Sequence, residues 1–261
     1  GNDDNTHLHS INVQEFRRPE YEVTVSADGG PHFIKGKAEL TVAASYYAGG
    51  DLPNAEVTWQ VSATGTNYTP PNRGDFTFGT WVPWWESQYR GGQTNSQSYQ
   101  GRTDAAGKHH LRVDFDSATP PRPMSVSASA SVQDVNRQAL SGTTTLLVHP
   151  AELYVGLRSR RTFVQPGEPL VVEGIVTDLD GRAVANREIR MRAVQLAWTF
   201  EKGAWKQTEQ DAQECVVRSG NEAVQCRFTP KEGGTYRVTA AVIDDRERPN
   251  QSELTLWVAG G

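Results

Sequence analysis

Two stretches of this chain, about 130 residues apart, read alike, and a repeat of that period confines each copy to roughly one β-sandwich's worth of residues. Phe33-Ile34-Lys35-Gly36-Lys37 opens the first copy, and Pro53-Asn54-Ala55-Glu56-Val57 follows after a turn. Phe163-Val164-Gln165-Pro166-Gly167-Glu168 opens the second, and after Leu170-Val171-Val172 and a turn at Asp180-Gly181 comes Ala185-Asn186-Arg187-Glu188-Ile189. Both read as aromatic, turn, strand, Gly turn, Asn, strand. Later in each copy a Gly turn precedes a strand, Gly107 before Leu111-Arg112-Val113 and Gly233-Gly234 before Tyr236-Arg237-Val238. We read this as duplication rather than a chance likeness of two β units.

The runs between the turns are short and β-like. YEVTV (21–25), AELTVAASYY (38–47) and AEVTWQVS (55–62) alternate and are rich in β-branched and aromatic residues. Gly 24 and Pro 14 against Met 2 suit a turn-rich chain, and no long segment keeps a helical period. The fold class is all-β, two consecutive immunoglobulin-like β-sandwiches with negligible helix. The expected division is a tail at 1–12, a first sandwich at 13–149 with a long aromatic insertion, and a second at 150–261. The junction near His149-Pro150 is too short for two independent beads. A net charge of -5 with no basic cluster argues against a nucleic-acid surface. No run approaches the roughly 18 apolar residues of a membrane span, so no membrane insertion is expected.

Cys215 and Cys226 are symmetric about Gly220-Asn221. A two-residue turn there would set them opposite each other across a hairpin, within disulfide reach. The alternative is a pair of reduced buried thiols. The disulfide reading implies an oxidising compartment. No metal site is expected, since no His lies in that hairpin. His109 and His110, being adjacent, point to opposite faces of a strand and cannot chelate one ion. His7 and His9 lie in a polar tail. Asp178/Asp180 and Asp244/Asp245 read as turn chemistry. Neither Gly-x-Ser-x-Gly nor a phosphate loop occurs. No catalytic residue and no cofactor site is assigned, and the chain is not expected to be an enzyme.

Two features suggest binding. Arg73-Gly74-Asp75 spells the integrin-recognition word, a weak signal in ordinary turn residues. Phe76, Phe78, Trp81, Trp84, Trp85 and Tyr89 crowd an insertion between strands. Trp81, Trp84 and Trp85 are candidate interface residues. At least two of the three are expected to be buried against a sandwich, because adjacent Trp84 and Trp85 diverge and spoil a flat sugar platform.

Val13-Gln14-Glu15-Phe16-Arg17-Arg18-Pro19-Glu20-Tyr21-Glu22-Val23 resembles the word that opens a macroglobulin domain in bacterial alpha-2-macroglobulins. Vertebrate relatives carry a similar V-K-E-Y-x-L-P-x-F-E-V pattern where their third such domain begins. Tyr46-Tyr47-Ala48-Gly49-Gly50, the run from Leu52 to Trp59, and Phe76-Thr77-Phe78-Gly79 are also similar to bacterial members. The second copy, from Tyr154-Val155-Gly156-Leu157 to Trp257-Val258, more loosely resembles the domain that follows. The resemblance implies the third and fourth macroglobulin domains of a broad-spectrum protease trap, in the periplasm or anchored to the inner membrane on that side. The expected partners are other domains of the parent chain and, indirectly, an attacking protease. The family's thioester lies in a Cys-x-Glu-Gln word, which neither Cys215-Val216-Val217 nor Cys226-Arg227-Phe228 matches. An immunoglobulin-like adhesin segment and a carbohydrate-binding module using the Trp loop are the alternative readings.

Overall fold

The structure, a computed structural model, describes residues 20–80, 95–116, 121–165 and 167–260. The Trp81/Trp84/Trp85 run, Tyr89, His7, His9 and most of the entry word lie outside the described residues. The described residues form strands and turns with no helix.

Among the described residues seventeen strands are seen: β1 (Tyr21–Ala27), β2 (His32–Phe33), β3 (Lys37–Tyr46), β4 (Glu56–Gly65), β5 (Thr77–Phe78), β6 (Asn95–Arg102), β7 (Lys108–Asp114), β8 (Met124–Gln133) and β9 (Ala139–His149) come first. Then follow β10 (Tyr154–Arg158), β11 (Phe163–Val164), β12 (Leu170–Thr177), β13 (Glu188–Glu201), β14 (Ala204–Arg218), β15 (Val224–Phe228), β16 (Gly234–Ile243) and β17 (Pro249–Val258).

The sheets show the repeat strand for strand. A three-stranded sheet, β1-β3-β7, faces β2-β9-β8-β4-β6. In the second sandwich β10-β12-β15 faces β11-β17-β16-β13-β14, in the same order. The Phe-led opening of each copy becomes the same device, a two-residue strand laid parallel on the end of the last strand. Phe33 pairs with His149 and Phe163 with Trp257. The one addition is β5, which leaves the first sandwich and joins the free edge of β10 in the second.

Alternation decides which side chains fill each core. In the first sandwich Leu40, Val42, Val57, Trp59, Ala128, Ala130 and Val132 are almost fully buried. Trp59 satisfies its indole by donating to Nδ1 of His109 at 3.0 Å. His110 faces the other way, its Nδ1 2.9 Å from Thr41 Oγ1. Leu157, Leu170, Val172, Ile189, Met191, Phe228, Tyr236 and Leu256 fill the second core.

Four turns share one design. Oδ1 of Asp104, Asp134, Asp178 and Asp244 accepts the backbone N–H groups two and four residues on. The fourth residue takes a positive φ, at Gly107, Arg137, Gly181 and Glu247. Such an Asp closes a hairpin turn by imitating the backbone.

The cysteine hairpin is corrected. Cys215 and Cys226 are bonded, with Cα atoms 6.1 Å apart, but not across a shared ladder. Cys215 lies on β14, which pairs with β13, and Cys226 lies on β15, which pairs with β12 through Val172. Neither Gly220 nor Asn221 has a positive φ, so no two-residue hairpin turn forms. The chain instead crosses between layers after Ser219, whose backbone and hydroxyl tie it to Val184, Asn186 and Arg187. The reason is burial. Cys226 and Phe228 are each 1% exposed because β15 completes the small sheet; pairing with β14 would have taken that strand away. The bond staples one layer of the sandwich to the other.

Candidate functional site

The densest arrangement outside the two cores is the seam where the first sandwich reaches onto the second. Residues 66–80 leave the end of β4 and run along the second sandwich. Phe76 and Phe78 are buried there against Tyr154 and Ile175, with Tyr68, Leu179 and Ala183 around them. Thr77 and Phe78 pair with Leu157 and Gly156, extending the small sheet by one short strand. Gly156 is required by that contact, since a Cβ would stand 2.6 Å from the Phe78 ring. The strap is pinned beyond β5 as well. Gly79 N–H donates to Ser252 Oγ at 2.8 Å, and its carbonyl accepts from Glu253 N–H at 3.0 Å.

Polar groups frame the aromatics. Tyr68 O–H donates to the Leu179 carbonyl at 2.6 Å, and Arg73 Nε to the Gly181 carbonyl at 2.8 Å. Gly181, at φ +83°, leaves no room for a Cβ beside the Pro71 carbonyl. Arg158 is the hub. Its guanidinium lies 4.2 Å over the Phe76 ring, pairs with Asp75, and donates from Nε to Glu173 at 2.7 Å. Burial disfavours the Glu173 carboxylate, but hydrogen bonds from Arg158 and Gln225 outweigh it and hold the group below the usual carboxylate range. On the opposite flank Arg248 stacks 4.2 Å over Phe33 and donates to Asp244, which also accepts the Glu152 N–H.

At the junction His149 Nδ1 and the Tyr154 hydroxyl are 2.7 Å apart, and the Tyr68 ring stands edge-on to His149 at 4.9 Å. Burial, with a smaller contribution from His32, pushes the His149 imidazole down to about 4. Burial, aided by Tyr68, raises the Tyr154 phenol. An unfolded His149 takes up a proton near pH 6.5 and the folded one resists until about 4, so its stabilising effect is whole above 6.5 and drains as pH falls. Between pH 6.5 and about 4 each pH unit removes about 1.4 kcal/mol, and urea midpoints at pH 5 should correspond to a loss of about 2 kcal/mol relative to pH 7. His149→Phe should flatten that slope; a wild-type midpoint identical at both pH values would contradict it.

Aromatic packing, a shared strand and ion pairs give the seam the chemistry of a joint. The sequence singled out Phe76 and Phe78 as part of an aromatic insertion, and they are the centre of the joint. Arg73-Gly74-Asp75 is spent on it, with Arg73 on Gly181 and Asp75 on Arg158. Sequence reasoning missed Tyr68, Tyr154, Gly156, Arg158, Glu173 and Arg248. A visible signal was the strand-like alternation of Phe76-Thr77-Phe78-Gly79.

No family profile matches the chain. It is similar over 96% of its length to Circularly permutated Ras protein 2 of Dictyostelium discoideum, at 28% identity, covering 7% of that protein. It is 22% identical over 261 residues to the Alpha-2-macroglobulin homolog of Nostoc sp., covering 95% of this chain and 13% of that one. Against Alpha-2-macroglobulin of Thermotoga maritima the identity is 23%, over 87% of this chain and 12% of the relative. The chain thus spans about a tenth of the length of these relatives. The fold is that of a stretch of native E. coli alpha-2-macroglobulin, with a TM-score of 0.63 at 15% identity, over 98% of this chain and 17% of that one. Two bacterial sequence relatives share one name, and a structure of that name has the same fold across both sandwiches: the chain resembles a segment of a bacterial alpha-2-macroglobulin.

Proposed function

We propose that this chain is scaffold in a bacterial broad-spectrum protease trap, two locked sandwiches that position other parts of a longer polypeptide and carry no reactive chemistry themselves. The observation that carries this reading is the seam. A trap that rearranges after cleavage needs rigid bodies that move as units, and a buried aromatic joint with a shared strand makes one body of two sandwiches. The Cys-x-Glu-Gln word is absent from the chain. A stapled sandwich suits an oxidising compartment, so the reading places the protein in the periplasm or on the envelope face of the inner membrane.

The test compares the chain with its parent. Incubated in excess with several endopeptidases, the chain should leave cleavage of a large protein substrate unchanged. The parent should suppress that cleavage and spare cleavage of a small peptide. Inhibition by the chain alone would reveal a direct inhibitory site, and a parent without effect on any protease would refute the trap.

A further inference from the structure

The second sandwich carries an uncovered row of aromatic rings at the end where the chain leaves it. The β13–β14 ladder continues past the other strands, pairing Ala197 to Thr208 through Glu201 to Ala204, while β16 stops opposite Leu196. Trp198 and Phe200 are two residues apart on one strand, and Trp205 lies opposite Phe200, so all three share a face. They are 62%, 62% and 68% exposed. Leu196, Thr235 and Trp257 lie in register on the same outer face, and Phe163 is paired beside Trp257. Trp257 and Phe163 are 57% and 55% exposed. Five open rings present on the order of 600 Å² of apolar surface, at or above the largest patch of a typical soluble monomer.

The internal repeat says what such a place is for. In the first sandwich the β4–β6 connection occupies the position that the β13–β14 hairpin has in the second. Gly65, where that connection begins, aligns through Met124 with Val148, so it lies at the end where the chain passes to the next sandwich. From there it delivers Phe76 and Phe78 to the hollow lined by Tyr154 and Ile175. In the second sandwich Leu196 aligns through Thr235 with Trp257, next to the chain's exit after Val258. The rings therefore stand where the first sandwich makes its forward joint.

We infer that the aromatic face of the β13–β14 hairpin docks onto the next β-sandwich of the parent polypeptide, in an apolar hollow at the edge of that sandwich's small sheet. Relatives supply the room, since the chain covers 13% of the Nostoc protein and 17% of the E. coli structure. The Phe200 and Trp205 rings meet at 61°, edge to face, which suits an anchor in a protein pocket and not a flat platform for sugars. The inference rests on the chain being one part of a longer multi-sandwich protein, and not on protease trapping.

Hydroxyl-radical footprinting read by mass spectrometry, on the isolated chain and on the full-length parent, tests it. Oxidation of Trp198, Phe200 and Trp205 should fall roughly five-fold or more in the parent, as anchors at an interface core lose nearly all their exposure. Val216, exposed farther along β14, is the internal reference. Rings as reactive in the parent as in the chain would overturn the docking, and so would protection gained only with vesicles of phosphatidylglycerol and phosphatidylcholine. A triple variant, Trp198→Ser, Phe200→Ser and Trp205→Ser, should leave the chain's thermal midpoint unchanged and lower the parent's. An equal fall in both would mean that the rings serve only their own hairpin. Protected rings in a parent that inhibits no protease would uphold this inference while the trap reading fails.

Discussion

Replacing Phe78 with alanine should destabilise the chain by about 3–5 kcal/mol, as expected for a phenyl ring deleted from a site that cannot collapse. The ring is 4% exposed, packs with Phe76, Tyr154 and Ile175, and sits directly over the hydrogen-only face of Gly156. Alanine there leaves a cavity and also weakens the two-residue ladder that holds β5 on β10. The loss should concentrate in one place. Hydrogen exchange should rise in residues 76–80 and along β10, and much less in β3 and β8, which fill the first core. Gly156→Val should act in the same direction by expelling the ring, and combining it with Phe78→Ala should cost less than the sum of the two, since the cavity admits the new side chain. A Phe78→Ala midpoint within error of the parent chain would mean that the seam contributes nothing to stability.

Removing the staple comes next in size. Cys215 and Cys226 are separated by 11 residues, and closing so short a loop is worth about 2.8 kcal/mol on the chain-entropy model. Since Cys226 is a buried member of the second core, a Cys215→Ala, Cys226→Ala variant also forfeits some packing. Its urea midpoint should drop by the equivalent of about 3 kcal/mol. Adding a reductant should bring the unaltered chain down close to the variant and leave the variant unmoved. A midpoint insensitive to reductant would show that the bond constrains nothing that unfolding releases.

The class of fold was legible because alternation and turns are local. So was the doubling, since both copies open with the same Phe-led word and both words build the same parallel edge strand. The turn role of Asp178 and Asp244 was legible for the same reason. What alternation does not report is the identity of whatever covers the apolar face. Cys226 and Phe228 alternate equally well as the return strand of a hairpin or as the third strand of the opposite sheet, and only the need to complete both layers separates the two. Ala197-Trp198-Thr199-Phe200 reads like any core-facing strand, yet its apolar face points outward. Phe76 and Phe78 showed the mirror image: set in an insertion that looked like a loop, they flank Thr77 in a strap whose short strand, Thr77–Phe78, finds its partner in the other sandwich. Arg158 and Glu173 gave no signal at all, because a half-buried ion pair between residues fifteen apart is visible only once β10 and β12 are paired.

The strand pairing at the seam has a consequence for solubility. The small sheet of the second sandwich would otherwise end at β10, whose sequence YVGLR is short of charge and buried along most of its length. An open edge of that kind is a template for strands from other molecules. By lying on Gly156 and Leu157, residues 77–78 occupy the template with a piece of the same chain, and Arg158 closes its far end with a charge. A second sandwich expressed without residues 66–80 should therefore be a poorer solution citizen than its fold suggests, prone to joining its neighbours edge to edge, and the strap acts as much to keep other chains away as to hold its own together.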